Sequence, residues 1–187
     1  MRRLPIVVFC LALLAMSCGG DSTDGLSDTP PWGLGSIDVP DTAEDVAEAM
    51  AAFPDEIEGL TRSGGGPTGV QYEDLGSPGM PWVVFAQSNE QIEMNASPGL
   101  NLATAEDWLR YIGSDQMLGA SEWERDLSGD LLWVANNAPM QVGPGQMGTV
   151  YMLNWAETGG TWAFYIQATS AAGRLALVKA FIAAAGG

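Results

Sequence analysis

The sequence predicts an α+β domain: a mainly antiparallel sheet of about four to six strands packed against two or three helices, ending in a β-hairpin and a helix. Three observations predict it. Val46, Ala49, Met50 and Phe53 recur at i, i+3, i+4 and i+7, which lays one apolar stripe along a helix. Val150–Glu157 and Thr161–Ala168 read as strands joined through Thr158-Gly159-Gly160. Leu175, Val178, Phe181, Ile182 and Ala185 then form a final helical stripe, which packs across the aromatic face of that hairpin.

The first helix starts at Asp41, with Glu44 at the N3 position of a capping-box-like pair, and stops at Pro54. Glu44, Asp45 and Glu48 make its solvated face, near the positive end of the helix dipole. Val70–Glu73 alternates with period two and Trp82–Ala86 is a continuous apolar run. The turn-rich Gly76–Pro81 between them predicts an antiparallel pair. Ile92–Met94 reads as a short extension of the sheet. A second helix spans 105–112, with Thr104 and Asp107 at N-cap and N3 and Gly113 as a left-handed stop. Gly119–Gly129 reads as an acidic loop, Leu131–Val134 as a strand and Asn136–Gly148 as a long Gly/Pro/Met loop.

In the closing hairpin a two-residue Gly159-Gly160 turn sets the register, with positive φ at both glycines. That register places Trp155 opposite Phe164 and Leu153 opposite Ile166. Ser170 caps the last helix and Gly186 ends it. The order helix, two strands, helix, strands, hairpin, helix is similar to small α+β sandwiches such as the Mog1/PsbP-like fold. Fold similarity of this kind does not specify an activity.

The N-terminus carries its own signal. Arg2 and Arg3 precede an unbroken apolar run from Ile6 to Met16, closed by Ser17-Cys18-Gly19-Gly20. The run is shorter than the ~20 apolar residues a membrane-spanning helix needs. Ala15-Met16-Ser17-Cys18 resembles the lipobox of a bacterial type II signal peptide. The resemblance implies diacylation of Cys18, cleavage before it, and membrane lipid as a partner in the cell envelope. Gly19 is not the aspartate that signals inner-membrane retention in enteric bacteria, so either membrane is allowed. Residues 1–17 are then the signal peptide and 18–31 a lipidated, flexible acidic tether. Residues 32–187 form a single globular domain.

Seven basic residues stand against 23 acidic ones, a net charge of −16, and loss of Arg2 and Arg3 with the signal takes it to −18. That balance excludes nucleic acid and electrostatic docking on anionic lipid as partners. With no histidine, and Cys18 as the sole cysteine after cleavage, neither an intramolecular disulfide nor a His/Cys zinc site can form. No catalytic, metal or cofactor residues are assigned. The remaining candidates are binding residues: Glu122, Glu124, Asp126 and Asp130 around Trp123, together with Trp32. Trp32 and Trp123 alone among the seven tryptophans stand in polar surroundings. Two carboxylates beside an aromatic are also the parts of a glycosidase site, and Asp126-x-Ser128-x-Asp130 begins a calcium-loop spacing that Leu131 interrupts. The sequence thus favours a non-enzymatic binding or assembly module with an envelope protein partner. An extracytoplasmic small-molecule or glycan-binding protein is the alternative, and a carboxylate-based hydrolase stands third.

Overall fold

Residues 37–76, 79–114 and 123–186 are described by the computed structural model of the chain. Thr42, one residue after the expected cap, accepts the Asp45 N–H at 3.1 Å and opens α1 (Ala43–Ala51). Arg62 reaches back to the far end of that helix. Its guanidinium donates to the carbonyls of Phe53 at 3.1 Å and Met50 at 3.2 Å, a cation where the helix dipole is negative. Arg62 belongs to β2 (Leu60–Gly66), which pairs with the short β1 (Glu56–Ile57). Neither strand is legible in the sequence, because Arg62-Ser63-Gly64-Gly65-Gly66 has poor strand propensity. A bulge between Arg62 and Gly64 and a φ of +151° at Gly65 explain the glycines: a Cβ on Gly65 would lie 2.7 Å from the Gly69 carbonyl.

Gly69–Glu73 (β3) and Trp82–Ser88 (β4) pair antiparallel as expected, with Tyr72 opposite Trp82 and Val70 opposite Val84. The residues after them depart from expectation. Ile92–Met94 lies in a helix, α2 (Asn89–Asn95), and does not extend the sheet. Ser88 and Gln91 form a full capping box, and Asn89 Oδ1 accepts the first N–H of the next helix, Ala105, at 2.7 Å. That helix, α3 (Ala105–Ile112), has Thr104 and Asp107 in the predicted roles, but Gly113 ends it at a right-handed φ of −81°.

Part of the acidic loop and most of the long loop are sheet, and residues 119–122 of the first lie outside the described residues. Trp123–Asp126 is β5, while β6 (Leu131–Gly143) and β7 (Gln146–Glu157) form one long hairpin turned at Pro144-Gly145. Pro139 sits opposite Thr149, beyond Asn136, where the pairing with β5 has ended. On that side no described strand needs its missing N–H, so the proline is tolerated. β8 (Trp162–Ala168) pairs with β7 in the predicted register, Trp155 opposite Phe164 and Leu153 opposite Ile166. The turn is displaced by one residue from expectation, onto Thr158-Gly159. Gly160 N–H donates to the Glu157 carbonyl at 2.9 Å, and only Gly159 takes a positive φ, +74°.

The class is α+β, with eight strands among the described residues and not four to six, in the order β1-β2-β3-β4-β8-β7-β6-β5. Helices cover both faces. On one face Val70, Tyr72, Trp82, Val84, Leu153, Trp155, Phe164 and Ile166 meet α1 and the final helix α4 (Ala171–Ala185). On the other, Leu132, Ala156 and Ala163 meet α2 and α3 through Ile92 and Leu109. The stripe of α4 is rotated from expectation: Gly173, Leu177, Val178 and Phe181 are buried, whereas Leu175 is only half-buried. Gly173 is the cause. A Cβ there would lie 2.2 Å from the edge of the Trp82 ring, whose Nε1 donates to Thr169 Oγ1 at 2.8 Å. Close approach at 173 draws the i+4 row 173-177-181 onto the sheet. There Phe181 meets Trp155 edge-on at 4.9 Å and Phe164 at 5.1 Å.

Thermal melts of the domain lacking residues 1–18 check this packing. Gly173→Ala overpacks the Trp82 contact and should cost ~1–3 kcal/mol, lowering Tm by roughly 3–10 °C. Trp155→Ala should cost ~3–5 kcal/mol, much of the ~5–15 kcal/mol that stabilises a typical domain. A Gly173→Ala variant that melts like wild type would refute the close approach.

Candidate functional site

Of the sequence candidates, Cys18, Trp32 and Glu122 lie outside the described residues, as does the side chain of Trp123, whose backbone pairs with Asn136. The structure does not gather the others. Glu124 and Asp126 alternate onto one face of β5, opposite Ala135 and Trp133. Asp126 is occupied locally: its Oδ1 accepts the N–H of Ser128 at 3.0 Å and its hydroxyl at 2.7 Å. Asp130 is exposed, and its backbone carbonyl, not its carboxylate, makes the contact, accepting Thr158 N–H at 2.8 Å. The acidic segment is thus a hairpin turn with a solvated rim. Among the described residues no group of three acidic or other ligating side chains is placed to hold a metal.

Two hollows lie elsewhere, and each draws on residues far apart in sequence. The first is a cleft of about 340 Å³ between the end of the β3–β4 pair and the tip of the β6–β7 hairpin. The carboxylates of Glu58, Glu73 and Asp74 line one side, Val142 and Thr149 the other, and Trp82 contributes to the floor. No lysine or arginine is among these lining residues. Asp74 Oδ1 already accepts Gly76 N–H at 2.8 Å and Glu73 accepts from Gln71, while the Trp82 N–H is taken by Thr169. Trp82 is only 9% exposed, so the cleft offers acceptors and an aromatic edge and not an open stacking face. Such a lining suits a ligand rich in hydrogen-bond donors or carrying positive charge.

The second hollow, about 80 Å³, is lined by Glu124, Ala135, Asn136, Asn137 and Arg174. Here a cation and an anion line the same hollow. Burial lowers the Arg174 pKa from its usual value, against the opposing pull of Glu124 and of Tyr151. Sequence reasoning identified Glu124 but missed its neighbours. Asn136 and Asn137 fall in the segment read as loop, and Arg174 falls in a helix read for its apolar stripe.

The half of the sheet face not under α2 and α3 is mixed aromatic and polar. Phe85 and Tyr165 meet at a ring separation of 4.7 Å, and Tyr165 O–H donates to Gln167 at 2.7 Å. Comparison of the chain with protein-family models finds no match, and no curated protein matches it.

Burial pushes the Tyr165 phenol up to about 12, and it does the same for Tyr72, where nearby Arg62 opposes the rise. A raised folded-state value gives stability that is full below the unfolded phenol's pKa of ~10 and is lost as pH climbs through ~12. Absorbance titration at the phenolate band should therefore show two of the four tyrosines resisting ionisation until near pH ~12, with stability falling over the same interval. All four ionising together near pH ~10 in the folded protein would contradict the burial.

Proposed function

We propose that the chain is a lipid-anchored cell-envelope protein, held to the membrane through acylated Cys18, whose domain is a non-enzymatic binding or assembly module. The single observation that carries this reading is Ala15-Met16-Ser17-Cys18 placed at the end of the apolar run and before the Gly/Ser/Asp/Pro segment. One acyl chain attaches a protein only marginally, whereas the several chains of a mature lipoprotein cysteine hold it stably. Residues 18–31 lie outside the described residues, and their Gly/Ser/Asp/Pro composition suits a linker between the anchor and a domain that meets an envelope partner close to the membrane.

A second reading, extracytoplasmic binding of a small molecule or glycan, is favoured by the cleft between Glu73, Asp74 and the β6–β7 hairpin tip. Its hydroxyl and carboxylate lining suits polar ligands, although burial of Trp82 removes the stacking platform that glycan sites use. The hydrolase reading draws no support from Asp126 and Asp130, the first tied into a turn and the second held at the turn's far side.

Labelling with radioactive palmitate tests the anchor. The wild-type chain should incorporate label and sediment with membranes, and Cys18→Ala should lose both. Label that survives Cys18→Ala would overturn the reading.

A further inference from the structure

The small hollow beside α4 contains charges that have not been brought together. Glu124, Ala135 and Asn137 alternate onto the α4 side of β5 and β6, and Arg174 comes down from the first turns of α4. The guanidinium is held in place by packing. It lies over the Tyr151 ring at 6.0 Å and donates through Nη1 to the Met152 carbonyl at 3.2 Å. Arg174 and Glu124 both line the hollow, yet the two side chains do not close into an ion pair of the kind Arg110 and Glu106 make at 2.8 Å. Asn137 lines the same hollow with its Oδ1 buried and without a hydrogen-bond partner. A buried acceptor of that kind costs ~1–3 kcal/mol when left unmet. Asn137 lines the hollow, so a donor brought there to its amide would satisfy that oxygen.

Such a lining asks for an acceptor at Arg174 and a donor between Glu124 and Asn137. One cation and one anion lining the same hollow without pairing favour a ligand of zero net charge with its own charges separated. Either charge alone would meet repulsion from one of the two side chains. We propose that this hollow takes a small zwitterion of the α-amino acid class, its carboxylate on Arg174 and its ammonium between Glu124 and the Asn137 amide. Carboxylate and guanidinium match in planar geometry, and the ammonium's donors find the carboxylate and amide oxygens. At about 80 Å³ the hollow accommodates the head of an amino acid and not a larger body, so a side chain would leave through its mouth.

The inference stands on this hollow alone and is independent of the lipid anchor, because palmitate labelling and amino acid binding can fail separately. Calorimetric titration of the full chain in detergent tests it, with glycine, acetate and methylammonium as probes. Glycine should bind saturably, and each of the single-charge probes about tenfold or more weaker. Glu124→Gln, at an exposed strand position, should weaken glycine about tenfold with Tm unchanged. Arg174→Ala should abolish the binding. Absence of saturable glycine binding, equal affinity for acetate and glycine, or a Glu124→Gln variant that binds glycine like wild type would each overturn the proposal.

Discussion

Helix α4 comes nearest the sheet at Gly173, where the Trp82 ring fills the space of the absent side chain, and the rest of the helix is oriented by that contact. With residue 173 against β4, Leu177 and Phe181 follow on the same row, one and two turns later. Phe181 then packs edge-on against both Trp155 and Phe164, which stack on each other at 5.4 Å across the β7–β8 pair. Three aromatic rings from a strand, its neighbour and a helix thus share one centre. Dispersion and edge-to-face geometry make such a cluster worth more than its area alone. The arrangement is dense enough that the Trp155 indole N–H is buried without a partner. Packing around it must offset that desolvation.

The same docking positions both hollows. Trp82, fixed by Thr169 and by α4, contributes to the floor of the larger cleft, and the long β6–β7 hairpin supplies its opposite wall. Arg174 follows Gly173 directly, so the helix rotation that buries 173 sends the guanidinium sideways over Tyr151 toward β5 and β6. A helix seated through Leu175, as its apolar pattern suggests, would aim that arginine elsewhere. Structure and candidate binding chemistry are therefore coupled through one glycine.

How much of this was legible in the sequence depended on whether an element's signal was local. The hairpin register was, because alternating apolar residues on two strands fix which face is buried. So were the caps at Thr104 and Ser170, where side chain and backbone meet within one turn. The strands β1, β2 and β5 were not. Apart from Ile57, Leu60 and Trp123 their residues are polar or glycine, and they are held by neighbours already in the sheet and not by their own propensity. The segment Asn136–Gly148 read as loop because it is rich in Gly, Pro and Met, yet pairing with β7 overrides composition. α2 hid behind the apolar Ile92, although Ser88 and Gln91 carried a capping box in plain view. The candidate site suffered most. Glu124 was found from its charge, but the Arg174 that lines the same hollow is fifty residues away in sequence.

Native-state hydrogen exchange of the α4, β4 and β8 amides is the most direct measurement of the coupling. If the Gly173–Trp82 contact and the Phe181 cluster hold helix and sheet as one unit, the slowest amides of all three elements should open with a common free energy, equal to that of global unfolding. An α4 that exchanges through a separate, lower-energy opening while β4 and β8 stay protected would contradict it.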